Sequence, residues 1–179
     1  MLFLFTLLST SLAHDFSTEL QENGAQLETT AFKTLGTWGA LNTGAGGVGA
    51  LLDNDPQRRA FHTMNAGWGA VNLGLALSGA ASSRRSSTPE SHAERWLRLP
   101  SVFALNAGLD ALYISAGGWL WLDGQSNENP SHVGWGQSLI LQGSALLLFD
   151  VWMALEFNAL NKEIWITSLP NGLAVQGAF

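Results

Sequence analysis

Four windows of the chain carry almost no charge: residues 34–52, 60–83, 99–122 and 133–155. The only formal charges inside them are Asp110 and Asp150. A helix of about 20 mostly apolar residues matches the hydrocarbon thickness of a bilayer. Charged residues are 12% of the 179, about half the usual share of a soluble domain. The windows are rich in Gly, Ala and Asn rather than Leu and Ile, a composition that a soluble helical bundle can share. We read the chain as all-α: an antiparallel membrane-spanning four-helix bundle over residues 34–157. A signal-like segment (1–13) and a polar lead-in (14–33) precede it, and a short tail (158–179) follows.

The second window, AFHTMNAGWGAVNLGLALSGAAS, is the most informative. His62, Asn65, Gly69 and Asn72 fall within about 80° of each other on a helical wheel. Lipid would not solvate that stripe, so other helices must cover it. Each remaining window has a matching face. In the first, Gly39, Asn42, Gly46 and Gly49 align; in the third, Asn106, Asp110, Tyr113 and Gly117; in the fourth, Gly136, Gly143, Asp150 and Ala154, with Gln142 beside them. Small residues let helix backbones approach closely where apolar contact alone gives little drive to associate. There is also an internal echo, WGAxNxG, at Trp38–Gly44 and again at Trp68–Gly74.

In an antiparallel bundle these faces predict a polar column. Asn42, Asn72 and Asp110 form its middle layer, Asp150 and Asn106 lie toward the 83–98 side, and His62 and Asn65 lie toward the other. A carboxyl at that depth costs about 2.5–3.5 kcal/mol on insertion scales and so needs a reason. One reason is structural, a protonated Asp110 bonded to Asn72 or Asn42 that holds the helices together. The other is a proton or cation relay, or a polar-ligand site. The spans themselves, taken from Ser101 in the third, contain no Pro.

Between the windows, Asp53-Asn54-Asp55-Pro56 reads as a turn with Asp55 as N-cap and Pro56 at the first helical position. Residues 83–98 read as a polar loop, in which Thr88-Pro89-Glu90 can start a short helix and Trp96 and Arg98 anchor at the interface. Trp119 and Trp121 mark the far interface, and 123–132 form a polar turn. The acidic 14–33 stretch reads as a solvated lead-in, the alternative being a short surface helix that leads into the first span. The tail around Pro170-Asn171-Gly172 forms either a small hairpin or a surface segment.

Several chemistries are excluded. A net charge of −6 argues against nucleic acid. The chain has no Cys, which removes disulfides, thiolate metal sites and cysteine nucleophiles. A lone intramembrane His62 cannot make a bis-histidine haem, and it lies at the opposite end from the aspartates. Gly44, Gly46, Gly47 and Gly49 lie within a span and follow no strand, so they are no phosphate loop. Ser138 and Ser144 read as packing residues. We expect no catalytic residue, cofactor or metal.

The motifs FHTMNAGWGAVNLGLA, NAGLDALYI and GQSLILQGSALLLFD occur in that order. Over roughly residues 30–157 the chain resembles a family of small bacterial membrane proteins whose domain is of unknown function. The resemblance implies a four-helix integral membrane protein, often with a signal-like N-terminus, and it brings no activity to carry over. A cleaved signal would place the N-terminus outside. The excess of Lys33, Arg84, Arg85, Arg95, Arg98 and Lys162 over Arg58 and Arg59 instead places both termini in the cytoplasm of a bacterial inner membrane.

Three functions follow as expectations. The first is a structural or accessory protein in contact with lipid, as a homo-oligomer or beside another membrane subunit. The second is a small transporter or proton or cation channel using Asp110 and Asp150. The third is a lipid- or quinone-binding module lined by Trp38, Trp68 and Tyr113.

Overall fold

A computed structural model describes the backbone of residues 2–85 and 89–167, and side chains within 18–162. The described residues form four helices and no strand: α1 (Leu2–Leu52), α2 (Pro56–Arg85), α3 (Pro89–Ser126) and α4 (Pro130–Thr167). The all-helical expectation and the helix count hold. Two stretches, Glu94–Ser126 in α3 and Pro130–Lys162 in α4, are long and apolar enough to cross a membrane. The described parts of the first two helices fall short of that test because Gly, Asn, Ser and His dilute them.

The turns follow from their residues. Asp55 accepts a hydrogen bond from the Arg58 backbone N–H at 2.9 Å, and Pro56 opens α2. The missing N–H of Pro56 is one that the first helical turn leaves unpaired anyway. Asp53 accepts from the Asp55 N–H at 3.0 Å and from Arg58 Nε at 2.8 Å. The hydrogen bond from Arg58, and then that from the Asp55 backbone, hold the Asp53 carboxyl below its ordinary range. Between α3 and α4, Asn129 accepts from the N–H groups of Ser131 and His132 at 3.1 and 3.3 Å. Glu128 there takes a left-handed conformation, φ 52°.

The helices pair as two hairpins, α1 with α2 and α3 with α4, which are joined through α2 and α4. The fourth helix is central and touches the other three, whereas α2 and α3 scarcely meet. Glycines set the closest approaches. A Cβ on Gly39 would lie 2.7 Å from the carbonyl oxygen of Gly69, and one on Gly69 would lie 2.7 Å from that of Gly39. The echoed Trp-Gly pairs therefore cross at each other. Gly117 and Gly136 form the same reciprocal contact between α3 and α4, at 2.8 and 2.6 Å.

Polarity reverses along the bundle. Over residues 34–150 the buried side chains include Asn65, Asn72, Asp110, Ser138, Gln142 and Asp150, while leucines such as Leu41, Leu75, Leu112 and Leu148 are more than half exposed. Toward the Arg85 end the pattern is ordinary. Leu20, Ala31, Trp96, Met153, Phe157 and Leu160 form an apolar core, and Glu19, Glu22, Asn23 and Gln26 face outward. We call this part the headpiece.

The headpiece corrects four expectations. Residues 14–33 are not a solvated lead-in but continue α1, with Glu28 3% exposed. Residues 83–98 are helical up to Arg85 and again from Pro89, so most of the stretch belongs to α2 and α3, and the helix at Pro89 is α3 itself. Trp96 is no interface anchor: it is 3% exposed and lies over Gly24, whose missing Cβ makes room for the ring. Arg98 remains exposed. Finally, α3 runs through a buried Pro100 at the junction of headpiece and bundle, removing the N–H that would have bonded the carbonyl of Trp96. Helix α4 continues to Thr167, and the Pro170-Asn171-Gly172 turn lies outside the described residues.

Candidate functional site

The interior polar groups form two clusters. The first centres on Gln142, which is 1% exposed. Its Nε2 donates to Asn42 Oδ1 at 2.8 Å and to Asn65 Oδ1 at 2.7 Å, and its Oε1 accepts from Trp38 Nε1 at 2.9 Å. Ser138 Oγ donates to Asn65 Oδ1 at 2.9 Å, and Asn42 Nδ2 to the Trp38 carbonyl at 2.8 Å. Each polar atom of the Gln142 amide is satisfied, and α1, α2 and α4 are tied at one level. Such a network fixes how helices pack and leaves no group free for chemistry.

The second cluster lies eight residues further along α4, about 12 Å at the helical rise. It holds the two acids Asp110 and Asp150, which line one cavity together with Asn106. Both residues are at most 5% exposed. The buried atoms Asn72 Nδ2 and Asp110 Oδ2 have no hydrogen-bond partner. Leu146 is buried between the two clusters on α4.

This cluster lines a cavity of about 230 Å³. Asn72, Asn106, Asp110 and Asp150 supply its polar lining. Trp68, Phe103, Tyr113 and Phe149 supply aromatic walls. The Trp68 and Tyr113 rings meet edge to face at 4.8 Å, and those of Phe103 and Phe149 at 5.9 Å. Val71, Leu75 and Leu109 also line it and are exposed on the outer surface. The cavity therefore opens sideways through the crevice between α2 and α3.

Of the residues read from sequence, the structure brings together Asn72, Asn106, Asp110 and Asp150, with Tyr113 beside them. Asn42 is not in their layer; it pairs with Gln142, which also bonds Asn65, because α1 packs on α2 and α4 and scarcely on α3. Asn65 does not share a site with His62. The His62 ring packs over Gly49 and edge-on to Phe61, and its Nε2 is 4.0 Å from Asp53. Trp38 does not line the cavity. Ser138 packs at 0% exposure and also donates a hydrogen bond.

Sequence reasoning missed a third cluster, in the headpiece. Glu28 accepts from Ser83 Oγ at 2.9 Å, Arg95 Nη1 at 3.1 Å and Trp96 Nε1 at 3.3 Å. The spacing Leu20, Gly24, Glu28, Ala31 was the available signal, since it puts the acid on an inward helical face.

The model of a family of unknown function, DUF6992, matches residues 34–151. The chain belongs to DUF6992. An uncharacterised family agrees with the resemblance read from the motifs. The DUF6992 match holds both interior clusters and the whole cavity lining, and it ends one residue after Asp150; Glu28 and Phe157 lie outside it. No curated protein and no solved structure matches the chain. Among the described residues no three His, Asp or Glu side chains are grouped so as to hold a metal ion.

Proposed function

We propose that this DUF6992 protein is an integral membrane protein with four transmembrane helices, an accessory or complex-forming component with no catalytic activity of its own. The observation that carries the proposal is the reversed polarity of residues 34–150. In the most apolar part of α3 only 11% of residues are buried, and in that of α4 33%. The core helix of a soluble protein would bury most of that surface. Here side chains such as Leu41, Leu75, Leu112, Trp119 and Leu148 point away from the bundle, and Asn65, Asn72, Gln142, Asp110 and Asp150 are buried within it. That arrangement is stable when the outer solvent is hydrocarbon. The exposed Leu41, Val48 and Leu51 of α1 and Val71, Leu75 and Leu77 of α2 extend the same argument to the two helices that fall short on composition.

The headpiece then projects from the bilayer with an aqueous exterior. Lys33, Arg84, Arg85, Arg98 and Lys162 are exposed at that end, and Arg58 and Arg59 at the other. The positive-inside tendency supports a cytoplasmic headpiece in a bacterial inner membrane. Ion conduction by Asp110 and Asp150 finds less support: polar groups would have to run through the bundle, and Leu146 interrupts them.

Alkaline carbonate extraction of membranes from expressing cells tests the proposal. The chain should stay in the pellet and be released by a non-ionic detergent; release by carbonate would contradict it. Turnover or transport by the purified chain that disappears on Asp110→Asn would contradict the accessory role.

A further inference from the structure

The cavity between α2 and α3 combines features that packing alone does not require. Asn72 and Asp110 are each 3% exposed, line the cavity, and keep one unpartnered polar atom apiece. Leaving a buried donor and a buried acceptor unpaired is unfavourable, and replacing both by apolar groups would remove the cost. The cavity has room for about eight waters by their share of liquid volume. Its mouth is apolar and faces outward.

We infer that the cavity binds an amphiphile whose head joins an ammonium to a hydroxyl, a lipophilic amino alcohol that enters sideways from the bilayer. The inference rests on the membrane-spanning proposal, because the mouth opens on the apolar exterior. The lining has two carboxyl groups and two amides, and no Lys, Arg or His. A phosphate, a fatty acid or a quinone carbonyl would set acceptors against carboxyl oxygens. An ammonium brings donors and the opposite charge to Asp110 and Asp150. Trp68 and Tyr113 line the same cavity, and aromatic rings favour a cation over an anion at their faces. The hydroxyl oxygen supplies what an ammonium lacks, an acceptor for Asn72 Nδ2. The alkyl chain leaves past Val71, Leu75 and Leu109.

The full chain, in phosphatidylcholine nanodiscs, is titrated with labelled 2-amino-1-tetradecanol, tetradecylamine and tetradecanol. Wild type should hold about one amino alcohol per chain and bind tetradecanol about tenfold more weakly or worse. Asp110→Asn and Asp150→Asn keep the shape of the side chain and should each weaken the amino alcohol by about tenfold. Asn72→Leu should reduce the amino alcohol to the level of tetradecylamine. Equal binding by wild type and both Asp variants would overturn the inference, as would a preference for tetradecanol. Release of the chain by carbonate would sink the membrane proposal and this site with it. A chain that stays in the bilayer and shows no difference among probes would sink the site alone.

Discussion

Glu28 lies in a helix that reads as an exposed acidic run, yet it takes three hydrogen bonds from three different donors. An acid so placed is tolerated only because Arg95 compensates it. Glu28 is the buried member, so Arg95→Ala leaves its charge without a compensating cation and should lower unfolding stability by about 3–5 kcal/mol. Ser83→Ala removes one neutral donor and should cost about 1 kcal/mol; thermal or denaturant unfolding in detergent compares the two. Asp53 is a different case, an acid in a solvated turn whose carboxyl is held below its ordinary range by Arg58. Its stabilising contribution is complete above the ordinary carboxylate pKa and is lost as pH falls through the lowered folded value. The Tm of Asp53→Asn should therefore lie below that of wild type at pH 7, with the gap closing in acid. A gap that is constant with pH would show that the charge is not what matters.

At the scale of the helices, two kinds of glycine are distinguished by what a Cβ would meet. Those at Gly39, Gly69, Gly117 and Gly136 face the backbone of a neighbouring helix, whereas Gly44, Gly67, Gly74 and Gly108 face open space. Gly39→Ala or Gly69→Ala should cost about 1–3 kcal/mol by forcing α1 and α2 apart. Gly44→Ala or Gly74→Ala should gain about 0.5–1 kcal/mol from helix propensity alone. Unfolding of the four variants separates the classes, and equal effects would argue against the close crossing. The glycine faces were legible in the sequence, and so was the Asp55-Pro56 start of α2, because local spacing and cap chemistry determine both. The shared face of Asn106 and Asp110 on α3 was legible for the same reason, whereas the sequence reading put Asn72 and Asp110 in one layer with Asn42, and Asp150 and Asn106 in the next. Asn42 was misplaced because its partner depends on which helices are neighbours, and a short-loop bundle does not specify that α4 sits at the centre. The continuation of α1 through residues 14–33 was hidden by its polar outer face. The inward residues Leu20, Gly24, Glu28 and Ala31 include a glycine and an acid, which do not look like a core until Trp96 and Arg95 arrive from α3.

The whole molecule carries two opposite orders of polarity in one set of helices. Near the Arg85 end the core is apolar and the exterior polar; over residues 34–150 the order is inverted, with Gln142 and the two aspartates inside and leucines outside. The proposed membrane boundary therefore falls between Lys33 and Leu41 on α1 and near Pro100 on α3, where the helix lacks one backbone donor. A soluble protein with this surface would expose leucine on every helix and associate through it. The inversion is tested most directly by cysteine accessibility, for which the cysteine-free chain is already suited. Single cysteines at Gln26, Asn54, Leu75, Leu112 and Leu148 are treated in intact membranes with a maleimide that cannot cross them. All five positions are exposed on the protein, so burial within the fold does not protect any of them. The account predicts labelling of Gln26 and Asn54 from opposite sides of the membrane, and none of the three leucine positions. Labelling of Leu75, Leu112 and Leu148 as fast as Asn54 would contradict it.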